Sequence, residues 1–203
     1  LRALDHGADI VMHSGTKYFG GHSDLIAGVL VGSARELAPV LAWRKRAGGI
    51  LDPHPASLLD RGIKTLALRM DAHTRGATHL ARLLSAHPSV RQVFYPGLDS
   101  HSTYDLAQRF LSAPGGMLAF EIAGGDEAAR SFLRATRIAL DAPSFGGVET
   151  LLSLPLFMSH ASLSEAERRA AGIPAGLVRV SVGIEDPLDL EADFLQALAA
   201  ASA

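Results

Sequence analysis

From Asp9 to Asp24 the chain reads Asp9-Ile10-Val11-Met12-His13-Ser14-Gly15-Thr16-Lys17-Tyr18-Phe19-Gly20-Gly21-His22-Ser23-Asp24, a short β-type run that feeds straight into a turn. The turn holds two hydroxyls, a lysine and a glycine pair, and beyond it Leu25 to Val31 is again apolar. Continuous apolar runs of this length predict two strands, each buried on both faces, with the lysine turn between them.

That combination suits a phosphate-bearing carbonyl cofactor held as a Schiff base. An ammonium is a poor nucleophile in water, and capture of a carbonyl turns the amine into a working catalytic group. The hydroxyls of Ser14 and Thr16 fall on one side of an extended strand, or together at a turn, where both could donate to a phosphate. Gly15, with no side chain, permits close backbone approach.

Downstream, Ala34 to Arg46 reads as a helix ending at Gly48-Gly49, with Arg44, Lys45 and Arg46 where the helix dipole favours cations. Asp52-Pro53-His54-Pro55 reads as an extended connection. From Ala56 to Ser85 apolar residues keep helical spacing, which predicts long helices or one bent spine, weakened at Gly62 and Gly76. Val90 to Tyr95, Met117 to Ile122 and Leu177 to Val182 read as strands. Tyr104 to Leu111, Asp126 to Ala135, Leu163 to Ala170 with Ser164 as N-cap, and Leu188 to Ala200 read as helices. Strands alternating with helices predict an α/β architecture in two parts, with the change near residue 75.

Composition narrows the partners. Nineteen Lys and Arg against twenty-one Asp and Glu leave a net charge of −2 over 203 residues, so no net field recruits nucleic acid or an anionic membrane. Absence of cysteine removes disulfides, thiolate metal sites and cysteine nucleophiles, and fits a cytoplasmic location. Apolar runs such as Ile26 to Val31 are far shorter than the ~20 residues a spanning helix needs, so the sequence reads as soluble. The opening Leu1-Arg2-Ala3-Leu4-Asp5 lacks a starting methionine and reads as the middle of a helix or turn, which predicts a fragment, a processed chain or part of a longer protein.

Segments in the order Gly7 to Asp24, Leu58 to Leu66, Pro143-Ser144-Phe145-Gly146-Gly147-Val148-Glu149-Thr150-Leu151 and Val178-Arg179-Val180-Ser181-Val182-Gly183-Ile184-Glu185-Asp186 resemble the Cys/Met-metabolism, or trans-sulfuration, family of pyridoxal-phosphate enzymes. The resemblance covers essentially the whole chain. It implies the fold of type I aminotransferases, with residues 1–75 the later part of the cofactor-binding large domain and 76–203 a small C-terminal domain. It implies pyridoxal 5'-phosphate as cofactor, Lys17 as the lysine that holds it and shuttles protons, and Ser14 and Thr16 as phosphate ligands. Arg179 would bind the substrate α-carboxylate, a task suited to a guanidinium, and Ser144 would stand beside both.

The implied substrate is an amino acid, and the implied assembly is a homo-oligomer, a dimer within a homotetramer. Pro143-Ser144-Phe145-Gly146-Gly147 is similar to plant-type cystathionine gamma-synthases, whereas gamma-lyase-like members often carry an acidic residue where Pro143 stands. The implied reaction is therefore γ-replacement or γ-elimination on sulfur amino acids or homoserine esters, synthase-like. Cystathionine gamma-lyase, methionine gamma-lyase and O-acylhomoserine sulfhydrylase are alternatives. In the family, the ring-stacking tyrosine and the aspartate on the pyridine nitrogen precede the lysine by more residues than exist here. Isolated, the chain is accordingly expected to be incompetent.

Other readings of the same letters are weaker. Ser14-Gly15-Thr16-Lys17 satisfies the Ser-x-x-Lys pattern of penicillin-recognising acyl transferases, but Gly20-Gly21 breaks the helix it needs and its partner motifs are missing. His13, His22 and Asp24 lack standard metal-ligand spacing, so no metal is expected. A non-catalytic scaffold that keeps only oligomer contacts is the remaining alternative.

Overall fold

The computed structural model describes residues 1–155 and 165–201. After a turn at Ala3–His6, β1 (Ile10–Ser14) and β2 (Gly28–Gly32) pair antiparallel, with Ile10 opposite Gly32 and Ser14 opposite Gly28. The register closes the loop between the strands at its base and fixes where the lysine turn begins. These strands are not buried on both faces as expected. Met12 is 70% exposed, and among the described residues before Ala77 the only buried non-glycine apolar residue is Leu25. A two-stranded ribbon leaves both faces open unless other layers cover them, and pairing alone does not supply those layers.

Helix α1 (Ala34–Ala47) forms as expected, with Ser33 Oγ accepting the Glu36 amide at 3.2 Å and Gly48 leaving it at φ +73°. The stretch after it does not stay extended. Helix α2 (Pro53–Ile63) already starts at Pro53, and Asp52 Oδ1 accepts the His54 amide at 3.0 Å. First-turn amides have no partner within the helix, so Pro53 and Pro55 sacrifice nothing there. The expected spine is then two helices, with α3 (Leu66–Ser85) following α2 after Lys64 and Thr65.

Beyond α3 come β3 (Val90–Phe94), α4 (Tyr104–Phe110), β4 (Met117–Ile122), α5 (Gly125–Ala135), β5 (Leu140–Asp141), β6 (Leu151–Ser153), α6 (Glu165–Ala170), β7 (Leu177–Ser181) and α7 (Pro187–Ala201). The sheet order is β3-β4-β7-β6-β5, antiparallel except for the parallel pair β5–β6. The chain is therefore α/β with a mixed sheet, as the alternation of elements implied. Leu163 and Ser164, the expected start of α6, lie outside the described residues. β5 and β6 escape the sequence reading because two and three residues show no period.

The core lies between this sheet and helices α3, α5 and α7. Every second residue of β4 points inward, so Leu118, Phe120 and Ile122 meet Leu80 and Leu84 of α3, Phe132 of α5 and Phe194 of α7 in one buried cluster. Phe120 and Phe132 meet edge to face with centroids 5.5 Å apart, and Phe132 meets Phe194 likewise at 5.4 Å. Asp193 of α7 is buried, and its carboxylate accepts the amides of Arg137, Ile138 and Ala139 at 2.7, 2.9 and 3.1 Å. Those bonds satisfy the charge and fix the chain entering β5.

Phe132→Ala in the intact protein should lower unfolding stability by about 3–5 kcal/mol, the range for emptying a packed aromatic site. Leu106→Ala, at a half-exposed position of α4, should change it by less than about 0.5 kcal/mol. Denaturant midpoints of the two variants check the contrast.

Candidate active site

The segment Gly15–Phe19 forms a helical turn broken at Lys17, whose backbone sits at φ −89° and ψ −130°. The break follows from anchoring at both ends. Ala27 O accepts the amides of Gly15 at 2.7 Å and Thr16 at 3.3 Å, while Gly20 and Gly21 donate to the carbonyls of Gly15 at 2.9 Å and Lys17 at 2.8 Å. A Cβ on Gly15 would stand 2.9 Å from the Ala27 side chain, so the approach demands glycine.

Of the two hydroxyl residues, Ser14 ends β1 and Thr16 belongs to the turn that follows. Thr16 Oγ1 accepts the Ala27 amide at 3.0 Å, which uses a lone pair and leaves its hydrogen largely free, with Ala27 O no closer than 3.5 Å. Ser14 is exposed at the end of β1 and caps nothing. Together they leave two hydroxyl donors beside a buried glycine.

Lys17 Nζ reaches across the fold to donate to Ser144 Oγ at 2.9 Å. Ser144 lies in the loop between β5 and β6, and that loop is tied to the turn at a second point: a Cβ on Gly146, at φ +81°, would lie 2.8 Å from the Tyr18 amide nitrogen. Arg179 of β7 points to the same loop. Its Nη2 donates to Pro143 O at 2.9 Å and Ser144 O at 2.6 Å, and its buried Nε has no hydrogen-bond partner among the described residues. The Phe145 ring stands 4.8 Å from Lys17 Nζ and 5.8 Å from the Arg179 guanidinium, a cation–π contact with each. Lys17, Ser144 and Arg179 thus converge on one loop, with Ser14 and Thr16 at the other end of the lysine turn.

Three further residues underlie the site and were not singled out from the sequence. Tyr18 packs its ring against His73 at 5.2 Å and keeps its hydroxyl buried; burial raises the phenol, with Tyr95 adding to the effect and Arg179 and Ser181 opposing it. His73 is fully buried, pairs Nδ1 with Val182 O at 2.7 Å, and is held below the usual histidine range by burial. Arg69 is 4% exposed and pairs with the carbonyls of Tyr18 and Gly62, each at 2.7 Å. The available signal was a charge and an imidazole at i, i+4 on the same stripe as Leu80 and Leu84. His13 and His22 make local contacts, the first with the Phe19 ring at 4.8 Å and the second with Gly20 O at 2.8 Å.

The family model for "Cys/Met metabolism PLP-dependent enzyme" matches residues 1–199. The chain belongs to this family. It is 47% identical over 201 residues to L-methionine gamma-lyase of Pseudomonas deceptionensis, covering 98% of this chain and 50% of that protein. It is 44% identical over 199 residues to the chloroplastic cystathionine gamma-synthase 1 of Arabidopsis thaliana, covering 98% of this chain and 35% of that protein. The crystal structure of cystathionine gamma synthase from Xanthomonas oryzae pv. oryzae in complex with cystathionine superposes with a TM-score of 0.90 at 42% identity, over 98% of this chain and 52% of that one. The chain spans about half the length, or less, of the curated relatives it matches. Family membership accounts for the agreement of separated segments, and the fold likeness matches the mixed α/β arrangement.

The residues present suit a pyridoxal-phosphate family. The exposed Ser14 hydroxyl, a Thr16 hydroxyl held to Ala27 O only at 3.5 Å, a lysine amine, and a buried arginine N–H without a partner among the described residues form the donor set that an anionic carbonyl cofactor and a carboxylate substrate call for.

His73 gives the fold a pH signature. Burial lowers its pKa in the folded state, so the unfolded chain binds the extra proton first. Its contribution is present above the unfolded value of about 6.5 and is lost as pH falls toward the lower folded value. Unfolding midpoints taken from pH 7.5 to pH 5.5 should therefore fall more steeply for the parent protein than for His73→Asn.

Proposed function

We propose that the intact protein containing this chain is a trans-sulfuration enzyme that uses pyridoxal 5'-phosphate to carry out γ-replacement or γ-elimination on sulfur amino acids or homoserine esters. The observation that carries the reading is the 2.9 Å contact between Lys17 Nζ and Ser144 Oγ, made across 127 positions of sequence within a chain of this family. We place the domain boundary near residue 75, supported by the change along α3 from contacts with the lysine turn at Arg69 to contacts with the core at Leu80.

Ser14 and Thr16 would hold the cofactor phosphate through hydroxyl donors, and Lys17 would hold its carbonyl group through the side-chain amine. When bound, the cofactor supplies an electron sink that makes the substrate α-proton acidic. Arg179 binds the substrate carboxylate with N–H groups left over from Pro143 and Ser144, and those two carbonyls stop the guanidinium from swinging away. Lys17 Nζ would remove the proton from the substrate α-carbon and return one where the reaction requires it. Ser144 keeps the amine aimed at that carbon, and Phe145 screens the two cations from water.

Synthase-like γ-replacement is the favoured chemistry, supported by Pro143 in place of an acidic residue. A homo-oligomer is supported by apolar side chains left open on the first part of the chain, among them Trp43 at 67% and Ile50 at 65% exposure. No helix among the described residues is long and apolar enough to cross a membrane. A cytoplasmic location is supported by the lack of cysteine.

Mixing the intact protein with pyridoxal phosphate should give a visible absorption band that Lys17→Ala abolishes, together with turnover of at least one of cystathionine, methionine, or an O-acylhomoserine plus cysteine. No band would sink this reading and leave the non-catalytic scaffold. Arg179→Lys should raise KM about 10- to 150-fold, the span of a charge-assisted hydrogen bond of about 1.5–3 kcal/mol.

A further inference from the structure

We propose that Arg69 is a positioning residue for Lys17, acting through the backbone of the two residues that follow the lysine. The inference rests on the role of Lys17 given above and adds the device that aims it.

Arg69 sits in the first turn of α3 and is almost fully buried. Its donors meet four acceptors: Tyr18 O at 2.7 Å, Phe19 O at 3.4 Å, Gly62 O at 2.7 Å and Thr65 Oγ1 at 3.1 Å. Thr65 Oγ1 also donates to Gly62 O at 3.2 Å, so the contacts form a closed set. None of the ion pairs found among the described residues includes Arg69. A buried guanidinium surrounded by neutral dipoles is costly unless those dipoles need it, and here Tyr18 O and Phe19 O, at the end of the lysine turn, meet no backbone amide among the described residues, while Gly62 O already accepts the Thr65 amide at 3.2 Å. Desolvation accordingly lowers its pKa.

The packing shows what is being held. A Cβ on Gly21, at φ +73°, would run into the guanidinium, and one on Gly62 would lie 2.8 Å from Phe19 O. Glycines therefore let α2, the turn and the Arg69 head group meet with only hydrogens between them. On the opposite side, the Tyr18 amide lies against Gly146 of the Ser144 loop. The segment next to Lys17 is thus fixed from both sides, its carbonyl by Arg69 and its amide by the loop. With the Lys17 backbone already turned out of helical geometry, this fixes the direction in which its side chain leaves the main chain and brings Nζ onto Ser144. A lysine at 69 cannot reproduce the set, because one ammonium cannot span acceptors that a planar five-donor fork reaches together.

The test compares the intact parent protein with Arg69→Met and Arg69→Lys. Circular dichroism reports folding, absorbance reports the rate at which the apoprotein captures pyridoxal phosphate, and mass spectrometry reports the rate at which an amine-reactive reagent labels Lys17 in the apoprotein. Both variants should fold, capture the cofactor at least tenfold more slowly, label at Lys17 at least threefold faster, and lose kcat tenfold or more with KM within threefold. Capture and labelling rates within twofold of the parent in a folded variant overturn the proposal, as does full rescue by lysine. If neither variant folds, Thr65→Val decides. It keeps the guanidinium and removes the Nε acceptor together with the hydroxyl's bond to Gly62 O, so a threefold change in both rates supports the clamp and unchanged rates overturn it. A parent protein that captures no cofactor overturns the proposed function, and the labelling rates still decide the role of Arg69.

Discussion

The architecture depends on a single stripe along α3. At one end the stripe carries Arg69 and His73, which serve the backbone around the lysine turn and the end of β7; at the other it carries Ala77, Leu80, Ala81 and Leu84, which fill the core. The two ends obey different physics. Apolar burial under the sheet is non-directional and tolerates small shifts, whereas the guanidinium and imidazole need acceptors at set distances and angles. Because one helix carries both, packing of the core sets the position of the groups that hold the site.

The site inherits a similar division. Lys17 comes from a turn between two strands, Ser144 from a loop between two short strands, and Arg179 from the interior of β7. Arg179 is positioned by strand pairing, with Ala119 and Ser153 opposite it on either side. Ser144 has no such frame. Its place follows from Arg179 gripping the carbonyls at 143 and 144 and from Ser181 Oγ accepting the Gly146 amide at 3.0 Å. The most regular element therefore holds the least regular one, and the lysine is aimed at the result.

Much of this was legible in the sequence. The lysine turn, α1, α3, β4 and α7 follow from apolar period, glycine and capping residues, all of which act over a few neighbouring positions. Lys17, Ser144 and Arg179 were also legible as one set, although only through resemblance across separated segments. The exceptions share a cause. The apolar runs at Asp9 to His13 and Leu25 to Val31 look two-sided because sequence records what a strand tolerates, not what covers it. Pro53 and Pro55 suggest a break because the free amides of a first turn become visible only once the helix is drawn. Arg69 looks like an ordinary helix charge because its acceptors lie some fifty positions earlier or on the neighbouring helix.

The continuity of α3 also has a mechanical meaning. An unbroken helix with a closed hydrogen-bond ladder resists bending, and neither proline nor an insertion interrupts it between Leu66 and Ser85. The lysine turn and the core sheet are thereby joined by a rigid strut. The loop from Ala142 to Thr150 is held by other means, with Arg179 on the carbonyls at 143 and 144, Ser181 Oγ on the Gly146 amide and Glu185 on Thr150. In this molecule the amine and the serine that meets it are two jaws mounted on separate supports, one on a helix and the other on a sheet.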